Sequence, residues 1–184
     1  MKKIIITLLC LAATVFAYNL LTNADFEQPL TEGWIQDHTS TSYAIDRATN
    51  YDPDPDYEAR VYTGTGSGYA VLYQVVDIPA TDIDFSCKAK LYAYDNHTSA
   101  WCGAALRISY LNSSGSQLGE TRICYKSTQC PWSNSSTMHV ITTADSLWHD
   151  YSFNIDDELT NLPGVNPTQV AKIKISLFDS TYHC

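Results

Sequence analysis

Residues 83–94 alternate without a break: Ile83, Phe85, Cys87, Ala89, Leu91 and Ala93 share one parity, and Asp84, Ser86, Lys88, Lys90, Tyr92 and Tyr94 the other. A β-strand sends successive side chains to opposite faces, so this stretch predicts a strand with one side buried and one side in water. A helix would scatter both classes around its circumference. Further β-rich runs, dense in Val, Ile, Tyr, Phe and Thr, cover 69–78, 104–111, 118–125, 148–155 and 170–178, with Gly, Ser, Asn, Asp and Pro between them.

The connection Asn112-Ser113-Ser114-Gly115-Ser116 predicts a hairpin, because Asn and Gly tolerate the positive φ of tight turns. Helix is restricted to at most one turn near 158–162. Pro53 and Pro55 lack backbone N–H groups, which makes the acidic stretch Asp52-Pro53-Asp54-Pro55-Asp56 a loop. The prediction is an all-β chain folded as a two-sheet antiparallel β-sandwich. Alternation alone does not separate a jelly roll from an immunoglobulin-like sandwich.

At the N-terminus, Lys2 and Lys3 precede an apolar run over 4–11 and a small-residue end at Ala17, the pattern of a secretory signal peptide. Residues 1–17 are expected to be removed, leaving 18–184 as one extracellular domain. The leader's run is too short to cross a bilayer, and no later segment reaches the roughly 20 apolar residues required. The chain carries 11 Lys and Arg against 20 Asp and Glu, and losing Lys2 and Lys3 takes its net charge from −9 to −11. So acidic a surface repels phosphate backbones and argues against a nucleic-acid partner.

Export also sets the expectation for the cysteines. With Cys10 removed, Cys87, Cys102, Cys124, Cys130 and Cys184 remain, and an oxidising compartment favours disulfides over metal ligation. Cys124 and Cys130 bracket a short loop and are the predicted pair. The partners of Cys87, Cys102 and Cys184 stay open. No C-x-x-C spacing supports zinc.

The segments Asn19-Leu20-Leu21-Thr22-Asn23-Ala24-Asp25-Phe26-Glu27, Gly33-Trp34, Gly68-Tyr69-Ala70-Val71-Leu72-Tyr73-Gln74, Trp148-His149-Asp150-Tyr151-Ser152-Phe153 and Ala171-Lys172-Ile173-Lys174-Ile175-Ser176-Leu177 occur in an order that resembles jelly-roll carbohydrate-binding modules of the galactose-binding-domain-like kind. The resemblance implies a jelly roll opening with a strand at 19–27. It also implies a structural calcium near that strand, with Asp25 and Glu27 supplying half of its ligands. The family pattern closes with a further strand bearing an Asp-Asp-Val-like stretch, and none follows Leu177, so that last strand is expected to be missing. Expected partners are a polysaccharide or other glycan and further modules of a longer polypeptide. The competing class is a secreted or cell-surface interaction domain that binds no glycan.

Sugar sites stack aromatic rings on pyranose faces. Trp101 and Trp132 stand in turn-rich stretches and are the first candidates for such a platform. Tyr92 and Tyr94 follow, on the polar face of their strand beside Lys88 and Lys90. Trp34 and Trp148 are expected in the core. Catalysis has little support, since no motif delivers paired carboxylates and there is no Gly-x-Ser-x-Gly elbow. The Asp52, Asp54 and Asp56 trio has Tyr57 where a calcium loop of the EF-hand type needs glycine.

Overall fold

The computed structural model describes residues 19–52, 55–95 and 97–184; the leader 1–17 and the loop residues Pro53 and Asp54 lie outside the described residues. Ten strands are formed among the described residues: β1 Ile35–His38, β2 Tyr43–Ala48, β3 Glu58–Thr63, β4 Gly68–Asp77, β5 Asp84–Lys90, β6 Trp101–Leu111, β7 Gln117–Lys126, β8 Met138–Thr142, β9 Trp148–Asn154 and β10 Lys172–Tyr182. One short helix, α1 Ile155–Leu159, starts where the Asn154 side chain accepts the Asp156 N–H at 2.9 Å. The helical turn therefore sits about three residues before the predicted 158–162.

One layer is a six-stranded sheet in the order β1-β4-β10-β6-β7-β8, and the other consists of the pairs β2-β3 and β5-β9. All pairings are antiparallel except β7 with β8. Between the layers, Phe85 and Leu91 meet Leu106, Ile108, Tyr110, Ile123, Ile173 and Ile175 in the main core. A second core joins Trp34 and Leu30 to Leu72, with Ile45 and Val61 packed against them. This is the predicted two-layer β-sandwich of the jelly-roll kind.

β5 keeps the predicted alternation, with Phe85 and Ala89 buried and Asp84, Ser86, Lys88 and Lys90 exposed. The 112–116 turn closes as expected, Gly115 at φ 86° donating to the Asn112 carbonyl at 2.9 Å. Two bonds from α1 to the sheet are polar: the buried Glu158 carboxylate accepts the Thr121 hydroxyl at 2.7 Å and lies 2.6 Å from His139 Nδ1.

The opening segment corrects one expectation. Residues 19–27 form turns, not a strand, because Asn23 and Phe26 adopt positive φ of 50° and 57°. The Asn23 side chain accepts the Gln28 N–H at 2.8 Å, fixing a tight local loop in place of a ladder.

The second layer is split. Between β3 and β5 opens a trough of about 1,020 Å³, floored by Val76, Leu106, Ile173, Ile175 and Leu177 and walled by 56–59 and 83–91. Every residue from Ile83 to Leu91 borders it, so β5 presents its edge and not one face.

Candidate functional site

The outward parity of the six-stranded sheet carries an ordered set of polar and aromatic side chains. β10 turns Ile173, Ile175 and Leu177 inward, which leaves Lys174, Ser176, Phe178 and Tyr182 facing out. The same rule turns Tyr69 and Tyr73 of β4, Trp101, Arg107 and Ser109 of β6, and Glu120 and Arg122 of β7 outward. Register aligns them in rows across the strands. Tyr73 lies opposite Ser176, Ser176 opposite Arg107, and Arg107 opposite Arg122. In the next row Lys174 lies opposite Ser109 and Ser109 opposite Glu120.

Aromatic rings support the cations. The Arg107 guanidinium sits 4.1 Å over Phe178, Arg122 lies 4.7 Å from Trp132, and Lys174 Nζ lies 4.5 Å over Tyr73. The Tyr69 ring tilts against Phe178 at 6.0 Å, and its hydroxyl donates to Asp37 at 2.8 Å. Arg122 pairs with Glu120 at 2.5 Å, whereas Arg107 Nε reaches Glu120 only at 4.0 Å. Burial, with the neighbouring Arg122 charge, lowers the Arg107 pKa against the pull of Glu120. Lys174 is lowered by burial first and by Arg107 second.

Trp132 is 8% exposed and lies flat on Gly103, where an added Cβ would come within 2.7 Å of its ring. It joins Ala105, Cys124 and Cys130 in a small apolar cluster on this outer face. Trp101 is half-buried and stacks parallel to Tyr182 at 6.2 Å, extending the face at one end. Tyr92 and Tyr94 are 57% and 68% exposed, and Tyr92 stacks on Tyr125 at 6.1 Å. Among the described residues no ring contact joins those two tyrosines to Trp101 or Trp132. Trp34 is in the core at 7% exposure, its Nε1 donating to the Asn23 carbonyl at 2.9 Å. Trp148, expected beside it, is only half-buried and borders the trough, with Lys88 Nζ 5.5 Å from its ring.

The calcium expectation does not fit its surroundings. Calcium takes six to eight oxygens. The carbonyl of Asn23 already accepts from Trp34, that of Phe26 accepts the Arg47 guanidinium at 2.6 Å, and Glu27 accepts the Tyr57 N–H at 3.2 Å. A guanidinium at that position also repels a cation. No group of three or more His, Cys, Asp and Glu among the described residues is placed to hold a metal ion.

The expected disulfide is not formed in this structure. Cys124 and Cys130 are free, as are Cys87, Cys102 and Cys184. The Cys124 thiol bonds the Thr142 side chain and the Cys130 thiol the Trp132 backbone, so each is turned to a different partner. Both thiols lie in the cluster around Trp132, near enough for the Cys130 charge to act on Cys124.

No family model matches the chain, and no curated protein matches it. Solved structures do. The enzymatically active domain of tailspike protein 4 from bacteriophage CBA120 matches 90% of this chain at 12% identity and TM-score 0.51, and this chain spans 19% of it. The CBM22-1–GH10 modules of endo-1,4-β-D-xylanase 10B from Clostridium thermocellum, solved with xylohexaose, match 90% of this chain and 28% of theirs at 10% identity and TM-score 0.39. The family 11 carbohydrate-binding module of cellulase Lic26A-Cel5E from the same organism matches over 91% of this chain and 94% of its own, at 13% identity and TM-score 0.36. At such identities the likeness concerns the fold alone, and the tailspike match supports the sandwich.

Proposed function

We propose that this chain is a non-catalytic, exported glycan-binding module whose ligand lies along the outer face of the six-stranded sheet. The observation that carries the reading is the alternation of half-buried rings, Tyr69, Tyr73 and Phe178, with hydrogen-bonding side chains on one face of a hydrogen-bonded sheet. Rings of that kind stack on sugar faces, and the neighbouring Ser, Arg and Glu groups orient the hydroxyls. Trp101 and Tyr182 prolong the strip, and Trp132 packs on the same face beside Phe178. From β4 to β7 the strip crosses three strand spacings, roughly 14 Å, enough for two to three sugar rings in a row.

A glycan array on the 18–184 domain tests the reading, with retention of at least one polysaccharide expected. Replacing Tyr73 by Ala should then lower affinity about tenfold, because a ring face of ~60 Å² at about 25 cal/mol per Å² contributes roughly 1.5 kcal/mol. Titration calorimetry of that variant measures it; unchanged affinity would move the site elsewhere. The trough favours the second reading, an interaction domain, since two strand edges wall it. A blank array would leave that reading in place of the first.

A further inference from the structure

Three side-chain atoms on the outer face are buried and lack a hydrogen-bond partner: Arg107 Nε, Ser109 Oγ and Ser176 Oγ. Both serines are 0% exposed. They are neighbours in the register, Ser176 directly across from Arg107 and Ser109 directly across from Lys174. A buried polar atom without a partner is costly and uncommon in folded proteins. Three within two adjacent rows point to a ligand that supplies the missing bonds.

Charge narrows the ligand. At the centre of the face Arg107, Arg122 and Lys174 stand against Glu120 between the arginines and Asp37 at the β1 edge, leaving one positive charge over; of the same parity, Lys172 is paired with Asp77 at 3.1 Å and Lys126 adds a further cation toward one end. The chain as a whole carries −9. A local positive excess on so acidic a protein is a selective feature, because the overall field repels polyanions from every other surface. Arg107 has its fork held on Phe178 with a buried Nε that makes no hydrogen bond and lies 4.0 Å from Glu120, a donor that a carboxylate can satisfy.

Resting on the glycan-binding reading, we propose that the ligand is an acidic polysaccharide built from uronic acids, with a carboxylate seated between Arg107 and Lys174 over the Ser176 and Ser109 hydroxyls. The half-buried rings of Tyr73 and Phe178 take the apolar sugar faces on either side. Neutral glucans and xylans offer no group to answer the surplus cation.

Polygalacturonate, its fully methyl-esterified form, and neutral xylan and β-glucan are titrated against the intact domain by calorimetry, in chelator so that calcium does not bridge acidic chains. Polygalacturonate should bind, esterification should abolish binding, and raising salt should weaken it. Arg107→Ala should reduce affinity about tenfold to a hundredfold, the range for a charge-assisted bond. Because Arg107 also packs on Phe178, Ser176→Ala provides a second variant. Its hydroxyl bonds nothing in the free protein, so the fold should be unaffected while affinity falls roughly threefold to tenfold. Binding to a neutral glycan but not to polygalacturonate would overturn this proposal and leave the glycan-binding function standing. Binding to no glycan would remove both. Polygalacturonate binding indifferent to both substitutions would overturn the assigned seat.

Discussion

Mild oxidation of the folded chain is expected to join Cys102 to Cys184 and to leave Cys124 and Cys130 unlinked. Register puts Thr181 of β10 opposite Cys102 of β6, and positive φ at His183 (56°) curls the chain back toward that position. Two backbone bonds with Gly66, of 2.6 and 3.1 Å, then fix Cys184, whose thiol donates to the Trp101 carbonyl at 3.0 Å and contacts the Cys102 thiol. Cys124 and Cys130 share a cluster, but their thiols bond the Thr142 side chain and the Trp132 backbone and not each other. Burial and the adjacent Cys184 push the Cys102 pKa up to about 12, so oxidation should be slow near neutrality and faster in alkaline buffer. The bond would close a loop of 82 residues, counted from 102 to 184, which by chain entropy stabilises the fold by up to about 4.5 kcal/mol. Urea unfolding of the oxidised and reduced forms gives that difference directly. Peptide mapping that finds Cys124 linked to Cys130, or a Cys184→Ser variant that oxidises as the wild type does, would refute the pairing.

Local signals were legible in the sequence, and contacts between strands were not. Period-two alternation is a local signal, so β5 was placed with Phe85 and Ala89 inward and Lys88 and Lys90 outward, but the alternation runs on to Tyr94 while the strand stops at Lys90. The same signal ended β10 early. Ile173, Ile175 and Leu177 mark the inward parity, but the next inward residues are Asp179 and Thr181, both buried and polar, and the strand runs on to Tyr182. β2 and β3 escaped notice because their faces carry Asp46 and Arg60, which pair across the two strands at 2.6 Å and read as loop residues in isolation. β8 is short, half-buried and held by the sheet's parallel pairing with β7, which leaves no alternation to read.

Contacts between strands were beyond reach for a related reason. Arg107, Ser176 and Lys174 each looked like the solvent face of a separate strand. Only the β10-to-β6 register assembles them into one surface. Trp132 and Trp148 exchanged expected roles because nothing local says that Gly103 leaves a slot for one ring, or that the layer beside the other is split. The opening segment failed on backbone geometry, since positive φ at Asn23 and Phe26 overrides a sequence that resembles a strand.

Acidification from pH 7 to pH 5 should stabilise this protein, and an Asp179→Asn variant should lose that response. Asp179 is 8% exposed on the inward face of β10, where its carboxylate accepts the Thr63 N–H at 3.1 Å and the Thr63 hydroxyl at 3.0 Å, tying β3 to the six-stranded sheet. Burial pushes its pKa up to about 6, and the bonds from Thr63 and from the Ser180 N–H offset this only in part. In the unfolded chain the same group titrates near 3.8. Between those values the folded state holds a proton that the unfolded state has released, so stability falls as pH rises through the window and levels off above it. The rise of about two pKa units corresponds to roughly 3 kcal/mol. Asp46 works in the opposite sense: burial alone would raise it, but hydrogen bonds from Arg60 and Tyr51 hold it below its ordinary value, so it loses stability in acid. That pair is largely exposed and screened, so Asp179 should decide the sign. Asparagine keeps the shape, accepts the same Thr63 N–H and can donate to the Thr63 hydroxyl, while never paying for a buried charge. Urea unfolding at pH 7 should therefore find Asp179→Asn more stable than wild type by up to about 3 kcal/mol, the difference vanishing toward pH 4. A variant less stable than wild type at pH 7 would mean that the ionised carboxylate holds β3 in place, and that its bonds outweigh the cost of burying it.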